Sequence, residues 1–322
     1  MPIDFYMASD GVHVRQSFDS PTVYLDHWAI RMFSDDPGIQ DRFVNALISK
    51  SGTILLSNLS FIEFARATDA RHCRDAEAFL ERLLPNIFLT DFALDKVLEQ
   101  ERAEHNNQRR FWPSADLPQL KLFAERAQHT PLGFTMQGFI TLAHIHRAEL
   151  SNSTEGVVRA IVDAMESARR DPAYVRKARN AVPSDKRPRT MVILGELMRG
   201  YNVDRTAPIS RNDVIDLLHA AMPVNCCDYV LLDGPWAERV EKMRQRIAKT
   251  GMNMPIAKCF SKRGNGVAAF LADLEAFVKP ESKSGADALQ GAISRKSVKK
   301  GKMRSNKGLH ADRRPASRSG AR

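Results

Sequence analysis

Cysteine is scarce in this chain: 322 residues hold four, Cys73, Cys226, Cys227 and Cys259, and no two form a Cys-x-x-Cys pair. That excludes a disulfide framework and a thiolate zinc site, and the four are read as free buried thiols of a reducing cytoplasm. Long apolar runs are also missing. None approaches the roughly 18 to 20 residues that cross a bilayer, so no membrane partner is expected. The start, Met1-Pro2-Ile3-Asp4, has no basic patch followed by an apolar block and is not read as a secretory signal. Phosphate loops of the Gly-x-x-x-x-Gly-Lys-Ser/Thr or Gly-x-Gly-x-x-Gly type are absent, which argues against nucleoside triphosphate or dinucleotide binding. The Gly-x-Ser-x-Gly elbow of α/β-hydrolases is absent too. There is no His-x-x-x-His pair, and His144 and His146, two residues apart, leave a helix on different faces.

What is present is a chain with 43% apolar and 27% charged residues, enough for a substantial core in one large domain or two small ones. Its net charge of +10 is unevenly placed. Residues 281–322 hold twelve Lys/Arg against Glu281, Asp287 and Asp312, a net of +9, which leaves the rest close to neutral. This basic tail, rich in Ser, Gly, Lys and Arg, is expected to be disordered and to hold nucleic acid loosely or simply to aid solubility. A second basic stretch runs from Arg169 to Arg189, with eight Lys/Arg against Asp171 and Asp185. It reads as an RNA phosphate contact, with Tyr174 stacking on a base, or as a solvated helix face and a loop around Pro183 and Pro188.

Strands are expected at Thr22–Leu25, Thr53–Leu56 and Asn86–Leu89, with a turn at Asp35–Gly38 and helices over Gln40–Lys50, from Ser57 to about Thr68, and over Asp75–Leu84. Residues 1–20 are read as mixed and peripheral. Alternating strand and helix argues for an α/β fold with a parallel central sheet flanked by helices. The pattern then changes to helices alone: Phe92–His105, Pro118–Ala127, Gly138–Leu150, Glu155–Arg170 and Pro172–Ala181. It resumes with a helix at Asn212–Met222, a strand at Asp228–Leu232, a helix at Ala237–Ala248, a last strand near Met254–Lys258 and a helix at Gly264–Val278. The expected organisation is an α/β domain from 20–90 and 205–280, a large all-helical insertion at 91–204 and the tail at 281–322.

Four carboxylates fall where such a fold gathers ligands, at the carboxyl ends of strands or on helices that start there. Asp26 ends the run Thr22-Val23-Tyr24-Leu25, and Asp233 ends Tyr229-Val230-Leu231-Leu232. Glu63 lies about two helical turns beyond the strand Thr53–Leu56, and Asp216 near the start of the helix at Asn212. Asp213 already has a structural task as the reciprocal acid of a capping box with Ser210. Asp228, about 16 Å from Asp233 along its strand, belongs to the other end of the sheet. His219, three residues after Asp216, is read as a satisfied helix histidine. Carboxylates without a thiol or imidazole cluster suit hard cations such as Mg²⁺ or Mn²⁺, common agents of phosphodiester hydrolysis.

In this order, Val23-Tyr24-Leu25-Asp26, Leu56-Ser57-Asn58-Leu59-Ser60-Phe61-Ile62-Glu63, Asp216-Leu217-Leu218-His219-Ala220-Ala221 and Asp228-Tyr229-Val230-Leu231-Leu232-Asp233-Gly234-Pro235-Trp236 resemble the motifs of the PIN-domain family of metal-dependent ribonucleases. The resemblance covers about residues 20–90 and 205–260. It implies a PIN-like nuclease in the cytoplasm, an endoribonuclease whose Asp26, Glu63, Asp216 and Asp233 bind Mg²⁺ or Mn²⁺ and cleave RNA. Some members are neutralised by a partner that covers the site, so an inhibitor protein or a homo-oligomer joins RNA among the partners to consider. The alternative is a non-catalytic nucleic-acid- or partner-binding protein on a PIN-like fold; a phosphatase or DNA nuclease with the same metal chemistry is a third reading. Asp26-His27-Trp28 has no second aspartate two residues on, which weakens a haloacid-dehalogenase-type phosphatase.

Overall fold

The computed structural model describes residues 3–8, 11–66, 69–91, 93–104, 112–129, 135–203 and 208–279. The expected disordered tail, 281–322, lies outside them. Strands β1 (Ile3–Ala8) and β2 (Gly11–Gln16) pair antiparallel. Residues 1–20 are therefore not merely peripheral, since a hairpin forms there and buries Ile3 in the main core. Next come β3 (Thr22–Leu25), α1 (His27–Asp35), α2 (Pro37–Ser49), β4 (Thr53–Ser57), α3 (Asn58–Ala65), α4 (Ala70–Arg82) and β5 (Ile87–Thr90). The expected turn at Asp35–Gly38 is in fact a helix junction. Asp36 accepts from the Gly38 and Ile39 amides, and Pro37, with no amide hydrogen to lose, opens α2.

Six helices follow: α5 (Leu94–Glu104), α6 (Leu117–His129), α7 (Phe139–Ile145), α8 (Arg147–Arg170), α9 (Pro172–Asn180) and α10 (Arg189–Val203). The expected helix Gly138–Leu150 breaks at His146, and α10 falls inside the expected all-helical stretch where no separate helix was delimited. Then come α11 (Arg211–Cys226), β6 (Tyr229–Leu231), α12 (Gly234–Lys249), β7 (Lys258–Phe260) and α13 (Gly266–Glu275). The last strand sits later than Met254–Lys258, because Met254 and Ile256 serve the core from a connecting segment.

Strands β3 to β7 form one parallel sheet in the order β5-β4-β3-β6-β7. Side chains alternate between its faces with the period of two that a pleated strand imposes. Val23 and Leu25, Ile54 and Leu56, and Ile87 and Leu89 enter one core. Tyr24, Leu55, Phe88, Val230 and Leu232 enter the other. The first core is centred on Phe33, Phe43, Phe79 and Phe270, whose rings lie 5.0 to 6.4 Å apart. The helical stretch serves both: Leu120, Phe123 and Ile140 pack into the first, and Val97, Val158, Val192 and Leu197 into the second. Residues 1–280 accordingly form one compact unit.

A buried polar network fixes this stretch to the sheet side. Glu101 on α5 accepts from the Thr190 amide at 2.9 Å and hydroxyl at 2.6 Å. Asn225, at the end of α11, donates to the Thr190 hydroxyl at 2.7 Å. Arg189, 1% exposed, donates to Asn225 Oδ1, to the Asn225 carbonyl at 3.0 Å and to the Pro255 carbonyl.

Candidate metal centre

The chain runs β3, β4, β5 outward in one direction and then crosses to the other side of β3 for β6 and β7. The order therefore reverses between β3 and β6, and ligands of open parallel sheets collect outside the carboxyl ends of the strands at such a point. Asp26 and Asp233 follow these two strands. The Asp26 amide donates to the Leu231 carbonyl at 3.1 Å, which ties the two strand ends together. Each aspartate also caps the next helix: Asp26 accepts from the His27 amide at 2.7 Å and Asp233 from the Trp236 amide at 2.9 Å. Glu63 comes from α3, which springs from the end of β4. Asp216 and His219 come from α11, one turn apart.

Asp26, Glu63 and His219 each present a ligand atom within 4.8 Å of the others. His219 is buried, its Nε2 stands 3.1 Å from Glu63 Oε2, and its Nδ1 is hydrogen-bonded to the Tyr24 hydroxyl. Glu63 Oε2 and His219 Nε2 are buried against each other, and neither has another hydrogen-bond partner. With His219 deprotonated, these two atoms and Asp26 make a set suited to a cation. Asp216 stands outside this tight group, accepts from the Trp236 side chain, and feels the charges of Asp233 and Glu63. Glu63 and Asp216 line a cleft of about 360 Å³ that Arg66 and Arg211 also border. The cleft thus carries both signs of charge: Arg66 acts on Glu63, and Arg211 pairs with Glu155 at 2.8 Å.

The electrostatics follow from packing acids together. Burial pushes Asp26 up to about 7; the His219 charge opposes this and Glu63 and Asp216 add to it. Burial pushes Asp216 up to about 6, and the Asp233 and Glu63 charges add to it. Burial would raise Glu63 as well, but His219 outweighs it and holds Glu63 below its ordinary range. Burial disfavours the His219 imidazolium, yet Glu63, Asp26 and Asp216 together raise its pKa. Burial, then the charges of Asp26 and Glu63, raise Tyr24 well above the ordinary phenol range, so Tyr24 stays a neutral hydroxyl beside the imidazole.

Of the four acids expected from sequence, Asp26 and Glu63 meet directly, and Asp216 and Asp233 lie near enough to act on one another. Asp213 makes the expected capping box with Ser210 and also accepts from the Tyr201 hydroxyl at 2.7 Å. Asp228 lies at the far end of β6 and accepts from the Thr22 amide at 2.8 Å. His219 bonds the Tyr24 hydroxyl through Nδ1, as a satisfied helix histidine does, and its Nε2 also faces Glu63 inside the cluster. The Asp216–His219 spacing was the signal in the sequence; the facing of Tyr24 was not readable there. In the basic stretch Arg169 and Arg189 are 5% and 1% exposed and bind the protein itself, while the other six Lys/Arg are exposed. A second group, Asp35, His72 and Asp75, is more open, and Arg31 is already hydrogen-bonded to His72 at 2.8 Å.

The raised pKa of Asp26 has a consequence for stability. The folded protein holds a proton that the unfolded chain releases, so this stabilisation is full below the ordinary aspartate value of 3.8 and is lost as pH rises through about 7. Asp26→Asn should therefore stabilise the chelator-treated protein at about pH 8, by on the order of 2–4 kcal/mol, and do little at about pH 4. Thermal melts of both proteins across that range test this. An equal effect at both ends would remove the electrostatic account of the site.

No helix among the described residues is long and apolar enough to cross a membrane. Comparison of the chain with protein-family models, with curated proteins and with solved structures finds no match.

Proposed function

We propose that this chain is a metal-dependent phosphodiesterase, a PIN-like endoribonuclease whose cation is held by Asp26 and Glu63, with Asp216 and Asp233 beside them. The observation that carries the reading is the meeting of Asp26, Glu63 and His219, with ligand atoms within 4.8 Å of one another, at the topological switch point. The donors fit a divalent cation: carboxylates suit Mg²⁺ and Mn²⁺, and the imidazole of His219 tilts the set toward Mn²⁺. Such a cation supplies an acidified water and charge stabilisation for phosphodiester hydrolysis. The chain's own residues do the rest. Arg66 and Arg211 border the same cleft and would hold a phosphate there, while Trp236 and Tyr24 fix Asp216 and His219 in place.

A second reading, a nucleic-acid-binding protein without turnover, is favoured by His219. An imidazolium next to Glu63 places positive charge inside the cluster without any metal. Cleavage of labelled RNA, single-stranded DNA and a small aryl phosphodiester, with Mn²⁺, with Mg²⁺ and with chelator, separates the two. Turnover of RNA that requires the cation supports the nuclease. RNA binding with no turnover on any substrate would replace it with the binding protein, and preferential turnover of DNA or of the small ester would move the substrate class.

A further inference from the structure

A groove of about 590 Å³ lies between the C-terminal half of α10 and one face of α12 from Pro235 to Arg246. Four cations line it, Arg199, Arg239, Lys242 and Arg246, against Glu196 and Glu238. The two acids are already engaged: Glu196 by Arg246 at 2.6 Å and Glu238 by Arg263 at 2.6 Å. Lys242, exposed, has no ion-pair partner among the described residues. The Arg239 guanidinium lies 4.2 Å from the centre of the Tyr201 ring and 5.3 Å from that of Trp236. A guanidinium held over two rings loses little further freedom when it forks onto a phosphate.

The groove connects to both features that point to nucleic acid. Trp236, under Arg239, bonds Asp216 of the acid cluster, and Tyr201 bonds Asp213 on the same helix. At the other side Arg199 donates to the Ala178 and Arg179 carbonyls at 2.8 Å, and Arg246 to the Ala181 carbonyl at 2.9 Å. These bonds fix the end of α9 beside the groove, so the exposed Arg176, Lys177 and Arg179 flank it. The backbone makes room for the arrangement. Gly200 sits inside α10, where glycine costs about 1 kcal/mol relative to alanine. A Cβ there would lie 2.9 Å from Arg239 Nη1, so the guanidinium would have to shift.

We propose that this groove holds the sugar-phosphate backbone of a single-stranded RNA, with Arg239 and Lys242 on successive phosphates, and leads the strand to the acid cluster. The proposal deepens the nuclease reading and rests on it for the strand's destination, but binding is measured without turnover. The test is fluorescence anisotropy of a labelled single-stranded RNA with the full chain in chelator, over a series of salt concentrations. The variants are Arg239→Ala with Lys242→Ala, the single Gly200→Ala, and a charge-matched control in the tail, Arg313→Ala with Arg314→Ala. The groove double variant should bind about tenfold or more weakly, and its salt slope should fall by about 0.7 for each phosphate no longer neutralised. Gly200→Ala should weaken binding with a melting temperature equal to or above that of the parent, which separates the loss from misfolding.

Undiminished binding by both groove variants overturns the proposal, as does an equal or larger loss in the tail control, or a wild type that does not bind RNA. Displacement of the RNA by a polyglutamate peptide of the same charge, at equal concentration, would make the groove an acidic-protein face instead. If binding behaves as expected but no cation supports cleavage, the nuclease reading fails and the groove stands.

Discussion

Asp26→Asn and Glu63→Gln should each lower cation-dependent RNA cleavage by on the order of 10³-fold, without unfolding the protein. Both substitutions keep shape and hydrogen-bonding atoms. The asparagine amide oxygen in Asp26→Asn can still accept from the His27 amide, the bond that starts α1. What each substitution removes is a charge facing His219 and its partner acid. His219→Gln should act more mildly, weakening Mn²⁺ affinity by about 10- to 100-fold, because it removes one donor and the group that orients Glu63. Calorimetric Mn²⁺ binding alongside cleavage assays gives the ranking. Full activity in Asp26→Asn would place the chemistry elsewhere. A His219→Gln variant with unchanged Mn²⁺ affinity would return His219 to a packing role.

Arg189→Met should destabilise the folded unit by about 3–5 kcal/mol, whereas Arg176→Met should change stability by no more than about 0.5 kcal/mol. The two arginines are thirteen positions apart in the same basic stretch. Arg176 is exposed on α9. Arg189 is buried, and its loss leaves Asn225 Oδ1, the Asn225 carbonyl and the Pro255 carbonyl without their donor. The cost is the desolvation of the two buried Asn225 acceptors, with the part-buried Pro255 carbonyl adding less. Urea melts of the two variants measure it. Equal, small effects would mean that the Glu101–Thr190–Asn225–Arg189 network adds nothing to stability.

The strands β3, β4, β5 and β6 were legible because each is a short β-branched or apolar run with turn residues at its ends. Asp26 and Asp233 were legible for the same reason, as the polar residues that stop such runs. His219 was not, because its partner Tyr24 stands within an apolar run and reads as core. Only the pairing of β3 between β4 and β6 turns that hydroxyl toward α11. The helix α10 was hidden by Pro188, by the basic residues before it and by Gly195 and Gly200 within it. The β1–β2 hairpin was hidden because a mixed sequence pairs there through its backbone. The basic stretch misled because composition counts charges and burial does not enter it: Arg169 and Arg189 look like Arg176 until the helices around them are in place.

The central strand of the sheet has a further consequence for how the protein is made. β3 is completed early in synthesis, but its neighbour β6 begins at Tyr229. At ribosomal rates of roughly 5–20 residues per second, β3 waits on the order of 10–40 s for that edge to be covered. The pairings that assemble Asp26 with Asp233 are among the longest-range in the chain, so they form late and slowly. Until then the growing chain lacks one wall of its own acid site, and an open strand edge sits where that wall will be. Asp26 and Glu63 are made long before Asp233, so the acid cluster closes only once β6 has docked beside β3.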